Sequence, residues 1–270
     1  MLLRYIHTLE DLAKSRSLRS GNVVDFTKEL LLHSSILLNC NRANAWIFNS
    51  EDDSLDSILS YSVRENKFKK ELPLYRRDFP EYFKNLERNE IIVAKNASEE
   101  PLNRQLVDAY IIPNNIQSMI DVPLRAEGRM VGVLCFEHTE NEHEWTAEDQ
   151  KYTQSAAQLL SLALETSKKK QYQEELEQLL IQKELLIAEI NHRVKNNMSV
   201  IMSLLNLQKS KAKDYYHEQL FEEIKDKVYS ISVVQEKLHA SQNYESINLA
   251  DYIVDLLHNL KQHYATETSI

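Results

Sequence analysis

From Thr146 to about residue 211 the chain contains no proline, no glycine and no strand-like alternation. Read as one helix, these roughly 65 residues run about 100 Å at 1.5 Å per residue. A single globular core cannot bury so long a helix along its sides, so another helix or another subunit must cover it. Thr146-Ala147-Glu148-Asp149 opens the stretch as an N-cap followed by acids in the first turn. Tyr172, Leu176, Leu179, Leu186 and Ile190 fall on a heptad seam, with Lys183 at one seam position, where a polar residue fixes register at a cost in stability. Beyond Ile190 the seam continues through Val194, Met198, Ile201, Leu205 and Gln208. Consecutive four-residue steps from Leu186 make a stutter that locally relaxes the supercoil. The polar and then aromatic segment 209–216 precedes a second helix, with Leu220, Phe221, Ile224, Val228, Ile231 and Leu238 at helical spacing. The two helices read as an antiparallel hairpin, and two hairpins would bury their stripes as a four-helix bundle. A homodimer is expected. Periodicity alone is equally met by a plain structural coiled coil.

The first half follows other periods. Residues 1–20 read as a helix, Gly21 and Asn22 break it, and residues 23–39 read as a second amphipathic helix. Ala43–Phe48 and Leu55–Val63 form one hairpin pattern, and Ser118–Arg125 and Met130–His138 a stronger one, turned at Gly128. Pro80–Arg88 reads as a short helix, Ile91–Val93 as a short apolar run, and residues 95–117 as loops and short helix along one side of the sheet. The expected class is α+β: a mostly antiparallel sheet flanked by helices.

Composition removes several functions. The three glycines are Gly21, Gly128 and Gly132, so no glycine-rich phosphate loop can lie in the second half, and a Rossmann domain is disfavoured. Forty-one acids against 32 bases, net −9, offer no nucleic-acid surface. The two cysteines, Cys40 and Cys135, sit in apolar runs, as small core residues in a reducing compartment do. No apolar run reaches the 18 or so residues of a membrane span, and charges at Arg4, Glu10 and Asp11 interrupt the start. A cytoplasmic location is expected. No metal site is expected either: His138 and His143, five apart on a loop, are a weak ligand pattern. Trp46, Phe48, Tyr61 and Trp145 read as core aromatics.

The stretch with chemistry in it is Glu189-Ile190-Asn191-His192-Arg193-Val194-Lys195-Asn196-Asn197, where the seam changes phase. His192 lies two residues past the seam position Ile190, so its ring points sideways or outward. Glu189 and Asn196, at i−3 and i+4, share its surface. A neutral imidazole is a usable nucleophile near neutral pH. Glu189 could accept from Nδ1–H and so leave the Nε2 lone pair exposed, as the orienting acid of a triad does. Arg193, Lys195, Asn196 and Asn197 could face phosphate oxygens. An isolated histidine of this kind would be an ordinary solvated side chain.

The surroundings go further. EINHRVKNNMSVIMSLLNLQ resembles the phosphoacceptor box of the histidine-kinase class whose dimerisation domain carries H-R-V-K-N-N before an S-L-L-x-L-Q helix. VYSISVVQEKLHASQNYESINLADYIVDLL is similar to that family's return helix and exit segment, so the resemblance spans about residues 180–262. It implies that His192 accepts the γ-phosphoryl group of ATP and passes it to an aspartate of a response-regulator receiver domain. Asn196 then lies where the family could orient a water for dephosphorylation. Arg193 departs from kinases with an acid directly after the histidine, which leaves Glu189 or the ATP-binding domain as proton acceptor. The family places an ATP-binding domain after the hairpin, about where this sequence stops. These 270 residues are therefore expected to be inactive towards ATP alone.

RANAWIF, SMIDVPLRAEGRMVGVLCFEH and EWTAEDQKYTQSAAQLLSLAL resemble a GAF sensor domain. The resemblance implies a pocket for an unknown small molecule on the sheet face under residues 65–117. Cys40 and Cys135 are not expected to attach a chromophore or haem. The expected organisation is an N-terminal helix (1–20), a GAF-like sensor (21–166), a coiled-coil signalling helix (167–185), a dimerisation and phosphoacceptor hairpin (186–245) and an exit segment (246–270). Three readings stand: the sensor and phosphoacceptor portion of a histidine kinase, which is favoured; a phosphotransfer protein charged by a partner; and a dimeric ligand-binding scaffold without chemistry.

Overall fold

The computed structural model describes residues 2–240 and Ile253. Apart from Ile253, the exit segment lies outside what it describes, as does the side chain of Leu238. It divides into two units at Glu175/Leu176.

In the first unit, helices α1 (Leu2–Ala13), α2 (Arg16–Ser20) and α3 (Val23–Leu38) precede the sheet. The expected first helix is thus two. The chain breaks at Lys14, and Ser15 caps α2 by accepting from the Leu18 N–H at 3.2 Å. Asn22 caps α3 by accepting from the Asp25 N–H. The strands are β1 (Arg42–Asn49), β2 (Ser54–Ser62), β3 (Lys67–Lys69), β4 (Leu74–Tyr75), β5 (Ile92–Ala94), β6 (Ser118–Ala126) and β7 (Arg129–His138). They form one antiparallel sheet in the order β3-β2-β1-β7-β6-β5, with β4 also paired to β2. Both expected hairpins are present. The β6–β7 turn holds Glu127 at φ 50° beside Gly128 at φ 75°, the two positive φ angles of a tight hairpin turn.

The sheet has a core on each face. On one side α1, α3 and the start of α5 (Ala147–Lys209) cover it, with Phe26, Leu30, Leu31, Leu134, Phe136, Tyr152 and Leu160 buried. On the other, α4 (Pro80–Arg88) and the 3₁₀ and π turns of residues 101–111 cover Trp46, Met119, Val133 and Cys135 with Tyr82, Phe83, Leu106 and Tyr110. Period-two alternation makes this division: Asn44, Cys135 and Asp121 are cross-strand partners in one row of the second face.

Helix α5 spans Ala147–Lys209, within two residues of the expected span. Its cap is reciprocal. The Asp149 N–H donates to Thr146 Oγ1 at 3.2 Å, and the Thr146 N–H donates to Asp149 Oδ2 at 2.9 Å. The Tyr5 hydroxyl donates to Asp149 as well, which ties α1 to this cap. Side chains are buried through Ala163; from Lys168 to Leu186 every residue is exposed.

In the second unit α5 continues, turns at residues 210–214 and returns as α6 (Tyr215–Ala240). Asp214 caps α6 by accepting from the His217 N–H at 2.9 Å. Lys209 reaches Glu222 across the turn at 2.6 Å, and Lys225 pairs with the same carboxylate. Ile187, Val194, Met198, Met202 and Leu205 form a half-buried stripe on α5, and Phe221, Val228 and Val233 of α6 are half-buried as well. The stripe takes Met202 where the heptad count places Ile201, because a hairpin partner is met at the 3.6-residue period of a straight helix.

Candidate functional site

His192 is exposed near the middle of the long run of α5 that leaves the sheet. At about 100° per residue, the half-buried stripe lies on one side of α5. Leu186, Ile190, Ile201 and Leu204 form a second apolar stripe beside it. His192 faces away from both. Helical phase alone therefore displays the ring, with no loop or cleft.

The ring's partner is Asn196. Its Nδ2 stands 3.2 Å from His192 Nδ1. Glu189, expected to orient the imidazole, does not. Its carboxylate accepts from Arg193 Nε at 2.6 Å. A guanidinium one turn ahead of a glutamate is a permanent charge at the favoured i,i+4 spacing, and it outcompetes a neutral ring for the carboxylate. Arg193, expected among the phosphate-facing groups, is committed to that pair. Lys195 and Asn197 lie exposed on the same segment, and Ser199 and Ser203 bond back to the carbonyls of Lys195 and Ser199. Downstream of the ring the surface is thus short-chained and polar.

The sheet face under residues 65–117 carries a buried polar set that alternation does not reveal. The Tyr82 hydroxyl donates to Asp121 Oδ2 at 2.8 Å. The Tyr110 hydroxyl donates to Glu137 Oε1 at 2.7 Å. Arg42 approaches Glu137 at 3.4 Å and Glu71 at 3.1 Å. Burial pushes the Asp121 carboxyl up to about 7. Among the described residues, Asn44 Oδ1, Asp121 Oδ1 and both amide atoms of Asn103 are buried without a hydrogen-bond partner in the chain. Both cysteines are buried, and burial raises the thiol pKa of each, Cys40 to about 12. His138 and His143 stack at 4.2 Å with Trp145 against both rings. Burial, and then the neighbouring His143, lower His138 to about 4. Trp46, Tyr61 and Trp145 are buried, and Phe48 is partly so.

Known families divide the chain along the same lines. Residues 25–164, just over half of it, match the model described as GAF domain. The chain belongs to the GAF-domain family. Residues 189–264 match the model described as HisKA_2, histidine kinase, so the GAF domain is followed by a histidine-kinase phosphoacceptor domain. No curated protein sequence matches well enough to add a relative. Among solved structures, the chain resembles the GAF domain of a phosphoenolpyruvate-protein phosphotransferase from Coxiella burnetii (TM-score 0.49, 13% identity, covering 63% of this chain and 98% of that one). It also resembles the GAF domain of the Acinetobacter phosphoenolpyruvate-protein phosphotransferase (0.48, 15%, 60% and 91%). A third is free methionine-R-sulfoxide reductase of Neisseria meningitidis (0.45, 15%, 61% and 88%). Among the described residues, no helix is long and apolar enough to cross a membrane.

Proposed function

We propose that the chain is the sensor and phosphoacceptor portion of a cytoplasmic sensor histidine kinase of a two-component system. In this reading Nε2 of His192 attacks the γ-phosphorus of ATP, the N–P bond forms, and the bond to the ADP oxygen breaks. A carboxylate of a response-regulator receiver domain then attacks the same phosphorus and the N–P bond breaks. ATP is held by a domain outside these residues.

The observation that carries the reading is the Asn196–His192 contact on an exposed helical face within the histidine-kinase match. An amide is suited to the task because it can present either end. With Nδ2 donating, Nδ1 accepts and the proton of the neutral ring sits on Nε2. With the amide turned, Oδ1 accepts from Nδ1–H and Nε2 keeps its lone pair for attack. On phosphorylation of Nε2 the other ring proton stays on Nδ1, hydrogen-bonded to Asn196 Oδ1, which meets the positive charge that develops on the ring.

We also infer a homodimer. Leu186, Ile190, Ile201 and Leu204 are 64, 57, 39 and 53% exposed in the single chain, and the described residues give them no cover. A second hairpin laid along that stripe completes a four-helix bundle and leaves His192 outward. The small molecule sensed by the GAF domain, of unassigned chemistry, is placed on the face of Asn44, Asn103 and Asp121. The unmet hydrogen-bonding capacity there supports this.

The test is transfer. The intact gene product is charged with γ-labelled ATP, freed of nucleotide and mixed with a receiver domain. Label is expected to move to the receiver, with none moving from His192→Gln. Charged kinase that never passes label to any receiver would refute the two-component assignment.

A further inference from the structure

Gly128 and Gly21 both hold positive φ, 75° and 69°, yet they differ in surroundings. A β-carbon on Gly128 would meet nothing within 4 Å. Gly21 ends α2: its N–H donates to the Leu18 carbonyl at 3.2 Å, and the Asn22 N–H to that of Ser17 at 3.0 Å. Such a left-handed cap suits glycine, and asparagine also fills it, as Asn39 does at φ 52° after α3. The cap does not explain a second property. A β-carbon on Gly21 would lie 3.0 Å from Ser167 Cα, 3.1 Å from Ser167 N and 3.3 Å from the Thr166 carbonyl carbon. All three are backbone atoms of α5, which cannot swing aside as a side-chain tip can. The elbow between α2 and α3 therefore meets α5 main chain to main chain.

Its position along α5 is what gives the contact consequence. Ser167 is the last partly covered residue before the exposed run that leads to His192. Immediately beyond it a cleft of about 360 Å³ separates Ser20 and Asn22 from Lys170, Gln171 and Glu174. The contact is the final point at which the GAF domain bears on the helix. His192 follows 25 residues further on in the same helix.

We propose that Gly21 is a positioning residue for phosphorylation of His192. Its bare α-carbon lets the α2–α3 elbow bear on Ser167 and so sets the rotation and direction with which α5 leaves the GAF domain. The regulatory half of this rests on the reading of His192 given above.

Gly128→Ala is the control, because it imposes the positive-φ cost without a neighbour. Gly21→Ala adds the clash to that cost. Gly21→Asn accepts the left-handed backbone and adds the clash alone, so it serves if Gly21→Ala does not fold. Nitroxide labels go on Glu51→Cys, in the β1–β2 turn, and Glu174→Cys, seven residues beyond Ser167. Both sites are exposed, while Cys40 and Cys135, 2 and 4% exposed, stay unlabelled. Interspin distances are compared by pulsed electron paramagnetic resonance, and phosphate on His192 is measured in the intact kinase. Gly128→Ala should lower Tm and leave both readouts unchanged. The Gly21 variants should shift the mean distance and change phosphate on His192 by at least about fivefold, the scale of an ordinary coupling between sites. Gly21 variants with a wild-type distance distribution overturn the proposal, and so does a shifted distance with unchanged phosphate on His192. If wild type itself takes no phosphate at His192, the reading beneath the proposal fails, and the distances alone decide whether Gly21 positions the helix.

Discussion

Asn196 and not Glu189 meets the imidazole of His192, and that places the fine control of nucleophilicity on an amide. Asn196→Asp would put a permanent acceptor at Nδ1 and hold Nε2 in its attacking form. Phosphorylation of His192 should then persist while any amide-dependent release of phosphate falls. Asn196→Ala, with neither donor nor acceptor, should slow charging by about tenfold, the usual scale for a lost orienting hydrogen bond. Rates equal to wild type for both variants would remove Asn196 from the site. His192 was legible as a candidate because the residues around it, Glu189 to Asn197, resemble a known phosphoacceptor box. The pairing of Glu189 was not, since spacing names every neighbour within a turn and only competition between charges selects one.

Asp121 makes a second case at this scale. Burial lifts its folded pKa to about 7, whereas an unfolded aspartate titrates near 4. Between those limits the folded chain keeps a proton that the unfolded chain has lost, so this group's contribution to stability declines as pH rises through the window. His138, lowered to about 4, works oppositely: stability is lost as pH falls from about 6.5 towards 4. Asp121→Asn is neutral throughout and can still accept from Tyr82. Its Tm should therefore gain on wild type as pH is raised from about 5 to about 8, with the His138 effect common to both. A pH-independent difference between the two proteins would contradict the assignment. Strand alternation told which face residue 121 occupies but not that a carboxylate there lacks a partner for Oδ1.

At the scale of elements, helix α5 joins the cap at Thr146 to the ring at His192 without a break. One residue inserted after Gln173 rotates everything downstream by about 100°, while seven restore the face to within about 20°. The single insertion should change the phosphorylation level and the sevenfold one largely preserve it. Equal effects would show that helix continuity does not carry the signal. Thr146→Ala removes the reciprocal cap and should cost the GAF domain about 1 kcal/mol, read by denaturant unfolding. The long elements were legible from period and punctuation: α5 has no glycine or proline to stop it, and Gly128 marks the β6–β7 turn. β3 and β4 were not, because three and two residues are too few to show alternation. Lys14-Ser15 hides a helix break inside a stretch whose apolar spacing runs on.

At the scale of the whole molecule, Leu186, Ile190, Ile201 and Leu204 form an apolar stripe that the described residues leave uncovered. Leu186→Glu with Ile190→Glu should reduce self-association in sedimentation and lower His192 phosphorylation, while the GAF domain melts as before. Undiminished dimers would move the interface elsewhere. The two-part organisation was readable from a change of period along the sequence. The face each helix turns to its neighbour was not, because a heptad count and a 3.6-residue count diverge by residue 201.

The most direct test is to locate the phosphoryl group itself. The intact kinase, charged with ATP at neutral pH and kept from acid, is digested and its phosphorylated residue assigned by mass spectrometry. Phosphate on the imidazole of residue 192 is the expected result. Phosphate on any other side chain, with His192 unmodified, would contradict the account.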